Sequence, residues 1–285
     1  MDGLVDEGTS DERGVTLVTP GEEIHEMTRT ILDKELQILD DQIKKLGYLV
    51  DDALGNALQA LETGDLALAG RVIEADTLID SLRVAVEEHT IRLLTLQQPL
   101  GGRDLRYLTS ALSIAGDLER TGDGAEGIAQ ILLRMAPLHR NSYLVNVDRS
   151  VAADAAGVNT TGEVGQVTEA SILRGILDLG HEARRVLQGT MKAFADRDVK
   201  AARAIWEEDD VVDVRYHLVR HDLMTMLAGA RAIPALQNDS LILQRATYLL
   251  WIAHKLERVG DHAANICERI LFIVEGETGE ISIQA

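Results

Sequence analysis

Lys255-Leu256-Glu257-Arg258-Val259-Gly260-Asp261-His262-Ala263-Ala264-Asn265-Ile266 stands in a long apolar-periodic run near the C-terminus. The stretch Asp117-Leu118-Glu119-Arg120-Thr121-Gly122-Asp123-Gly124-Ala125-Glu126-Gly127-Ile128 nearly repeats it in the first half of the chain. Both read L-E-R-x-G-D, an acid followed four residues later by another. On a helix such residues share a face, with Cβ atoms about 5–6 Å apart, and two carboxylates there repel. Glycine inside a helix costs about 1 kcal/mol against alanine. A chain that accepts both penalties twice has a use for the carboxylates and for the missing Cβ.

Working outward, the repeat extends to the preceding segments. Asp65, Asp76 and Asp80 stand 133 residues before Asp198, Asp209 and Asp213, whereas Glu119, Gly122 and Asp123 stand 138 before Glu257, Gly260 and Asp261. The extra five residues of the second half fall near Pro234. Duplication at a fixed offset signals two copies of one supersecondary unit.

Each copy reads as three helices. Leu32, Leu36, Leu39, Ile43, Leu46, Val50, Leu54, Ala57 and Leu61 step by three and four, the seam of a long bundle helix. Gly64-Asp65 ends it, with Asp65 as N-cap of the next. A second helix over about 66–97 uses Val72, Ile73, Leu78, Leu82, Val86, Ile91 and Leu94, and a third covers about 103–136. The pattern resumes over about 169–195, 198–230 and 239–275. The expected architecture is all-α: two tandem three-helix bundles, 26–137 and 169–276, related by an internal pseudo-twofold repeat. An acidic disordered tail (1–25), a linker or insertion (138–168) and a short tail (277–285) complete the chain.

The composition agrees. Of 285 residues 46% are hydrophobic but only 3% aromatic, an aliphatic content that suits helices better than β-sandwiches. The net charge of −19 comes with no run of Lys or Arg, which argues against nucleic-acid binding. One cysteine, Cys267, excludes an internal disulfide and any CxxC site. The N-terminus lacks the basic and apolar regions of a signal peptide, and no uncharged run approaches a membrane span, so a cytoplasmic protein is expected.

The repeat exposes a second acidic pair in each half, Asp76-x-x-x-Asp80 and Asp209-x-x-x-Asp213. Helices joined by a short turn are antiparallel neighbours, so Asp76 and Asp80 are expected to meet Glu119 and Asp123, and Asp209 and Asp213 to meet Glu257 and Asp261. Taken singly, such pairs read as a solvated face. Four pairs at fixed offsets inside apolar helices read as metal sites, because clustered carboxylates need a cation or a proton. All-oxygen ligation suits hard ions: Mg²⁺, Mn²⁺, Ca²⁺ or iron. Glu126 and Asn265 read as ordinary polar-face residues, His89, His217, His221, His254 and His262 as satisfied polar positions, and Trp206 and Trp251 as core.

The doubled L-E-R-x-G-D, the acid-x-x-x-acid before it, and Gln98-Pro99 followed by Asp104-Leu105-Arg106 resemble the PhoU family over about residues 30–275. The resemblance implies two pseudo-symmetric three-helix bundles carrying metal clusters on the eight acids Asp76, Asp80, Glu119, Asp123, Asp209, Asp213, Glu257 and Asp261. It favours iron over zinc, manganese, magnesium or calcium. It further implies a homodimeric, non-enzymatic negative regulator of phosphate uptake and phosphate-starvation signalling. Its implied partners are the nucleotide-binding subunit of the phosphate ABC transporter and a sensor histidine kinase, at the cytoplasmic face of the membrane. The linker at 138–168 is longer than that family's usual connection. The rival readings are a carboxylate-bridged metalloenzyme, either a ferritin-like oxidase or a metal-dependent phosphatase, and purely structural metal clusters. The ferritin-like case needs two Glu-x-x-His motifs, and the chain holds one, Glu22-x-x-His25.

Overall fold

A computed structural model describes residues 20–96, 100–140, 147–148, 166–207, 210–232 and 240–276. The first half is α1 (Pro20–Thr63), α2 (Leu66–Leu96) and α3 (Gly102–Met135), with a 3-10 turn at Ala136–Arg140. The second half is α4 (Glu169–Asp196), α5 (Val199–Glu207), α6 (Asp210–Ala232) and α7 (Ser240–Glu275). Between the halves, β1 (Val147–Asp148) pairs antiparallel with β2 (Gln166–Val167). The all-α class and the tandem arrangement are those expected. Helix α1 starts at Pro20, inside the segment assigned to the tail; residues 1–19 and 277–285 and most of the linker lie outside the described residues. The expected fifth helix is described as two segments, α5 and α6.

Chain chemistry accounts for the boundaries. Gly64 takes the left-handed conformation (φ 68°) and Asp65 Oδ1 then accepts from the backbone N–H of Ala67 and Leu68, both at 2.9 Å. The equivalent turn puts Arg197 (φ 54°) and Asp198 in the same places, with Asp198 accepting from Ala201 N–H at 3.0 Å. Thr168 and Ser171 close α4 with a reciprocal capping box.

Arg197 is the only described non-glycine residue in the left-handed region, a conformation costing an ordinary residue about 1–2 kcal/mol. Its contacts offset that. The guanidinium lies 4.2 Å from the Phe194 ring centroid and 5.2 Å from that of Tyr107, donates to the Phe194 carbonyl at 2.7 Å, and pairs with Asp40 of α1. Asp40 is buried and also accepts from the Tyr107 hydroxyl at 3.0 Å. The second half is thereby tied to the first. Arg197→Gly relieves the strain but removes one of the partners of Asp40, which keeps Lys44 at 2.7 Å and the Tyr107 hydroxyl, so a net loss of about 1 kcal/mol is expected in urea denaturation; unchanged stability would mean the strain outweighs the pair.

One continuous apolar core runs through both halves. On α1, Leu39, Ile43, Leu46, Val50, Leu54, Ala57 and Leu61 are buried as expected. On α2 the expected face is partly out of phase. Val72 and Val86 are buried, but Leu78 and Ile91 are about half exposed, and Ile79 and Leu93 take the interior positions. Trp251 is likewise half exposed rather than core, with its ring edge-on to Tyr248.

The halves meet twice, α1 on α4 and α3 on α7. Both seams have pseudo-twofold character. Gly47 and Gly180 are equivalent positions, as are Leu58 and Met191; Gly47 packs against Met191 and Gly180 against Leu58, neither leaving room for a Cβ. Asp51 and Arg184 are equivalent to each other and form a two-pronged ion pair, at 2.8 and 2.9 Å, which sets them beside the axis. In the other seam, Asp117 meets His262 and Asn265, and its equivalent Lys255 meets Gly124 and Gly127.

Candidate metal centre

In the first half, α2 and α3 run antiparallel and present their acids to each other. The glycine of the motif makes this approach possible. A Cβ on Gly122 would stand 3.1 Å from two Ile79 carbons and 3.6 Å from Asp76 Oδ1. At the equivalent point a Cβ on Gly260 would stand 3.1 Å from Val212 Cγ1. Ile79 and Val212 are themselves repeat partners.

The acids gather into two triads, Asp76–Asp123–Glu126 and Asp80–Glu119–Asp123, each offering three ligand atoms within 4.8 Å of one another. All four first-half acids expected to converge are present, and Asp123 belongs to both groups. Glu126 is the residue that sequence reasoning set aside. Its signal was its position, three after Asp123 on the same helix face. Gln130 Nε2 donates to Glu126 Oε1 at 2.7 Å and orients it. Asp80 and Asp123 are exposed and the other three half-buried, so the groove opens to solvent.

The groove is electrostatically strained. Burial, followed by the charges of Glu126, Asp80, Asp123 and Glu119, pushes Asp76 up to about 6. Burial and Asp123 raise Glu119, against the opposing pull of Arg83. Arg83 Nε lies 3.8 Å from Glu119 Oε1, buried and without a hydrogen-bond partner. Arg120 turns away, donating to Asp117 at 2.9 Å. Oxygen-only donors, crowded and under-neutralised, fit a hard divalent cation or iron.

A pH dependence follows for metal-free protein. The folded pKa of Asp76 lies above its unfolded value of 3.8. The folded state therefore keeps the proton longer, and stability falls as pH rises from about 4 to about 6, the penalty being complete above that window. Asp76→Asn should raise the metal-free melting point at neutral pH and flatten this trend. Discounted for solvent screening, the gain is about 1 kcal/mol. Calorimetry across that pH range would expose a flat wild-type profile, the contrary result.

Asp209 lies outside the described residues. Among the described residues Asp213, Glu257 and Asp261 form no triad. Glu257 Oε2 is buried and accepts no hydrogen bond, although His254 Nδ1 stands 3.0 Å away. Tyr216 packs its ring against His217 and His254.

The remaining candidates are interior. His262 is buried with Nδ1 3.1 Å from Asp117, and His89 is held between Glu35 and Gln42 at 2.8 and 2.9 Å. Cys267 is buried beside Thr190. Among the described residues no helix is long and apolar enough to cross a membrane.

Two fused helical units, each ending in an L-E-R-x-G-D helix, the first packing that helix on an acid-x-x-x-acid helix, define a class of duplicated carboxylate-bearing bundle proteins. The chain belongs to the PhoU family: the family's model, described as the PhoU domain, matches residues 43–132 and again 176–270. It is similar to the phosphate-specific transport system accessory protein PhoU homolog of Clostridium acetobutylicum, 25% identical over 90% of this chain and 100% of that one. It also resembles the phosphate-specific transport system accessory protein PhoU of Escherichia coli, 28% identical over 85% of each. Among solved structures, it superposes on the phosphate transport system regulatory protein PhoU of Streptococcus pneumoniae. There the TM-score is 0.63 at 28% identity, over 87% of this chain and 98% of that one. PhoU from Pseudomonas aeruginosa gives 0.67 at 25% identity, over 86% and 99%.

Proposed function

We propose that this chain is an accessory regulator of phosphate transport, a non-enzymatic protein that restrains phosphate uptake and phosphate-starvation signalling. It acts at the cytoplasmic face of the membrane, as a homodimer, by contact with the nucleotide-binding subunit of a phosphate ABC transporter and with a sensor histidine kinase. The observation that carries the reading is the doubled PhoU module with its gathered carboxylates. Relatives named as accessory proteins of phosphate-specific transport support it.

Metal ions, iron foremost, would be held in the first half by Asp76, Asp80, Glu119, Asp123 and Glu126. In the second half Asp209, Asp213, Glu257 and Asp261 would hold them. Bound there, a cation supplies charge neutralisation and a cross-link between neighbouring helices, stiffening the face offered to a partner. In this reading the groove residues serve as ligands rather than as catalytic groups. The ferritin-like alternative lacks its second Glu-x-x-His.

Replacing Glu119, Asp123, Glu257 and Asp261 together with alanine should derepress a phosphate-regulated reporter in phosphate-replete cells. Continued repression by a stable variant would remove metal from the signalling role. Failure of the wild-type chain to capture the transporter's nucleotide-binding subunit would remove the partner.

A further inference from the structure

We infer that the outer face of α6 and α7 is a docking surface for a short acidic segment of another protein, anchored on Trp251 and held by Arg220. This face is separate from the acidic groove of the first half, and its occupancy is read without metal or phosphate.

Aromatic residues are only 3% of this chain, yet three of them meet here. On α7, Tyr248, Trp251 and His254 follow at three-residue steps and share a helix face. Trp251 is 48% exposed and lies edge-on to Tyr248, ring centroids 5.8 Å apart. Across the helix pair, Tyr216 of α6 has its ring 6.2 Å from that of His254 and 5.6 Å from that of His217. The rings thus form one row over both helices. Val212 meets Gly260 and Tyr216 meets His254, so the helices run antiparallel, and one turn further on Arg220 comes level with Trp251. Met224 and Leu243 are exposed beyond them. Trp, Tyr, Met and Arg are the side chains enriched where proteins bind one another.

Packing of the repeat does not call for these rings. Ser110, Ser113 and Gly116 occupy the places of Tyr248, Trp251 and His254, and Arg83 that of Tyr216, while the core of the first half closes without them. Charge then selects the partner. Residues 214–221 hold Arg215, His217, Arg220 and His221 and no acid, in a chain of net charge −19; the equivalent 81–88 hold Arg83, Glu87 and Glu88. Arg83 pairs with Glu87, whereas Arg220 is exposed with neither ion pair nor hydrogen bond among the described residues. A partner's carboxylate would supply the missing counter-ion while its apolar side chains cover the rings. The acidic remainder of the molecule repels an extended polyanion. Its exposed charges are largely screened beyond about 8 Å at physiological salt, so a short segment confined to this face is not excluded by them.

The test titrates the full chain into two labelled amphipathic peptides of equal length and the same leucine stripe, one glutamate-rich and one lysine-rich, and reads anisotropy. The glutamate peptide should bind saturably and the lysine peptide about tenfold more weakly, the equivalent of one charge-assisted contact. In Trp206→Phe, which leaves Trp251 as the single tryptophan, the glutamate peptide should shift emission to the blue and shield it from acrylamide. Arg220→Glu should reverse the preference between the peptides, Trp251→Ala should weaken both, and Ser113→Ala, at the equivalent place in the first half, should change nothing. Equal binding of the two peptides, or preference for lysine, overturns the acidic partner. Undiminished binding to Arg220→Glu and Trp251→Ala overturns the surface, and no saturable binding overturns both. Tighter binding of oligothymidylate or of phosphatidylglycerol vesicles, with the same Trp251 shift, overturns the proposal by making nucleic acid or a membrane the occupant. If Trp251→Ala loses its cooperative melt, Arg220→Glu, at an exposed position, carries the test. The phosphate-regulated reporter and the transporter capture are separate readouts, so the proposed function stands or falls without this result.

Discussion

Asp117→Ala should cost about 3 kcal/mol in urea denaturation, although Asp117 belongs to neither acidic triad. The carboxylate is buried at the seam of α3 and α7, where it receives His262 at 3.1 Å, Arg120 at 2.9 Å and Asn265 at 3.4 Å. Removing one member of a buried charged network strands the rest, and the desolvation already spent on His262 and Asn265 is no longer compensated. The same network sets a sign for acid. Burial alone raises Asp117, but hydrogen bonds from His262, Arg120 and Asn265 outweigh it and hold the group below 3.8. Its stabilisation is therefore present above the unfolded value and is lost as pH falls through the lower folded value. Asp117→Asn should remove that acid limb while keeping more stability than alanine. A loss below about 1 kcal/mol for Asp117→Ala would show that the seam is held by its apolar contacts.

Gly122→Val and Gly260→Val should each lower stability by about 2–3 kcal/mol, the upper part of the overpacking range. At both positions the bare Cβ would already stand 3.1 Å from a branched side chain, Ile79 or Val212, and valine adds two methyl groups to that crowding. The two sites lie in different bundles, so the losses should add in the double variant. Gly122→Val has a second consequence, because its Cβ would also approach Asp76 Oδ1 and wedge α2 from α3. Metal uptake by the first half should weaken with the packing. Pairing Gly122→Val with Ile79→Ala tests the cause: the smaller neighbour should recover part of the loss. Helix propensity cannot account for the loss, since valine is no worse on a helix than glycine, so no recovery would overturn the packing explanation.

Much of the candidate site is legible in the chain because its determinants are local. Acids four apart on one helix share a face, and a short connection returns the next helix antiparallel, so Asp76, Asp80, Glu119 and Asp123 converge without reference to anything distant. Glu126 reads as an ordinary polar-face residue in the chain because the repeat argument selects what both halves share, and its equivalent is Ala264. A feature confined to one half is invisible to a comparison of halves. Leu78 and Ile79 show a different limit. Both are apolar and adjacent on α2; which of them turns inward depends on where the facing helix has a gap, and that gap is Gly122.

By itself, then, the sequence determined the long helices, the turn at Gly64-Asp65, the duplication, and the four first-half acids. Each is set by spacing or by a capping side chain acting within a few residues. Only the tertiary structure decided how the halves seat on one another. Asp117 finds His262 across 145 residues, Asp40 finds Arg197 across 157, and Asp51 finds its own repeat partner Arg184. None of these pairs obeys a helical period. They arise because two apolar helix faces exclude water together, and whatever polar groups that docking buries must then be satisfied by one another.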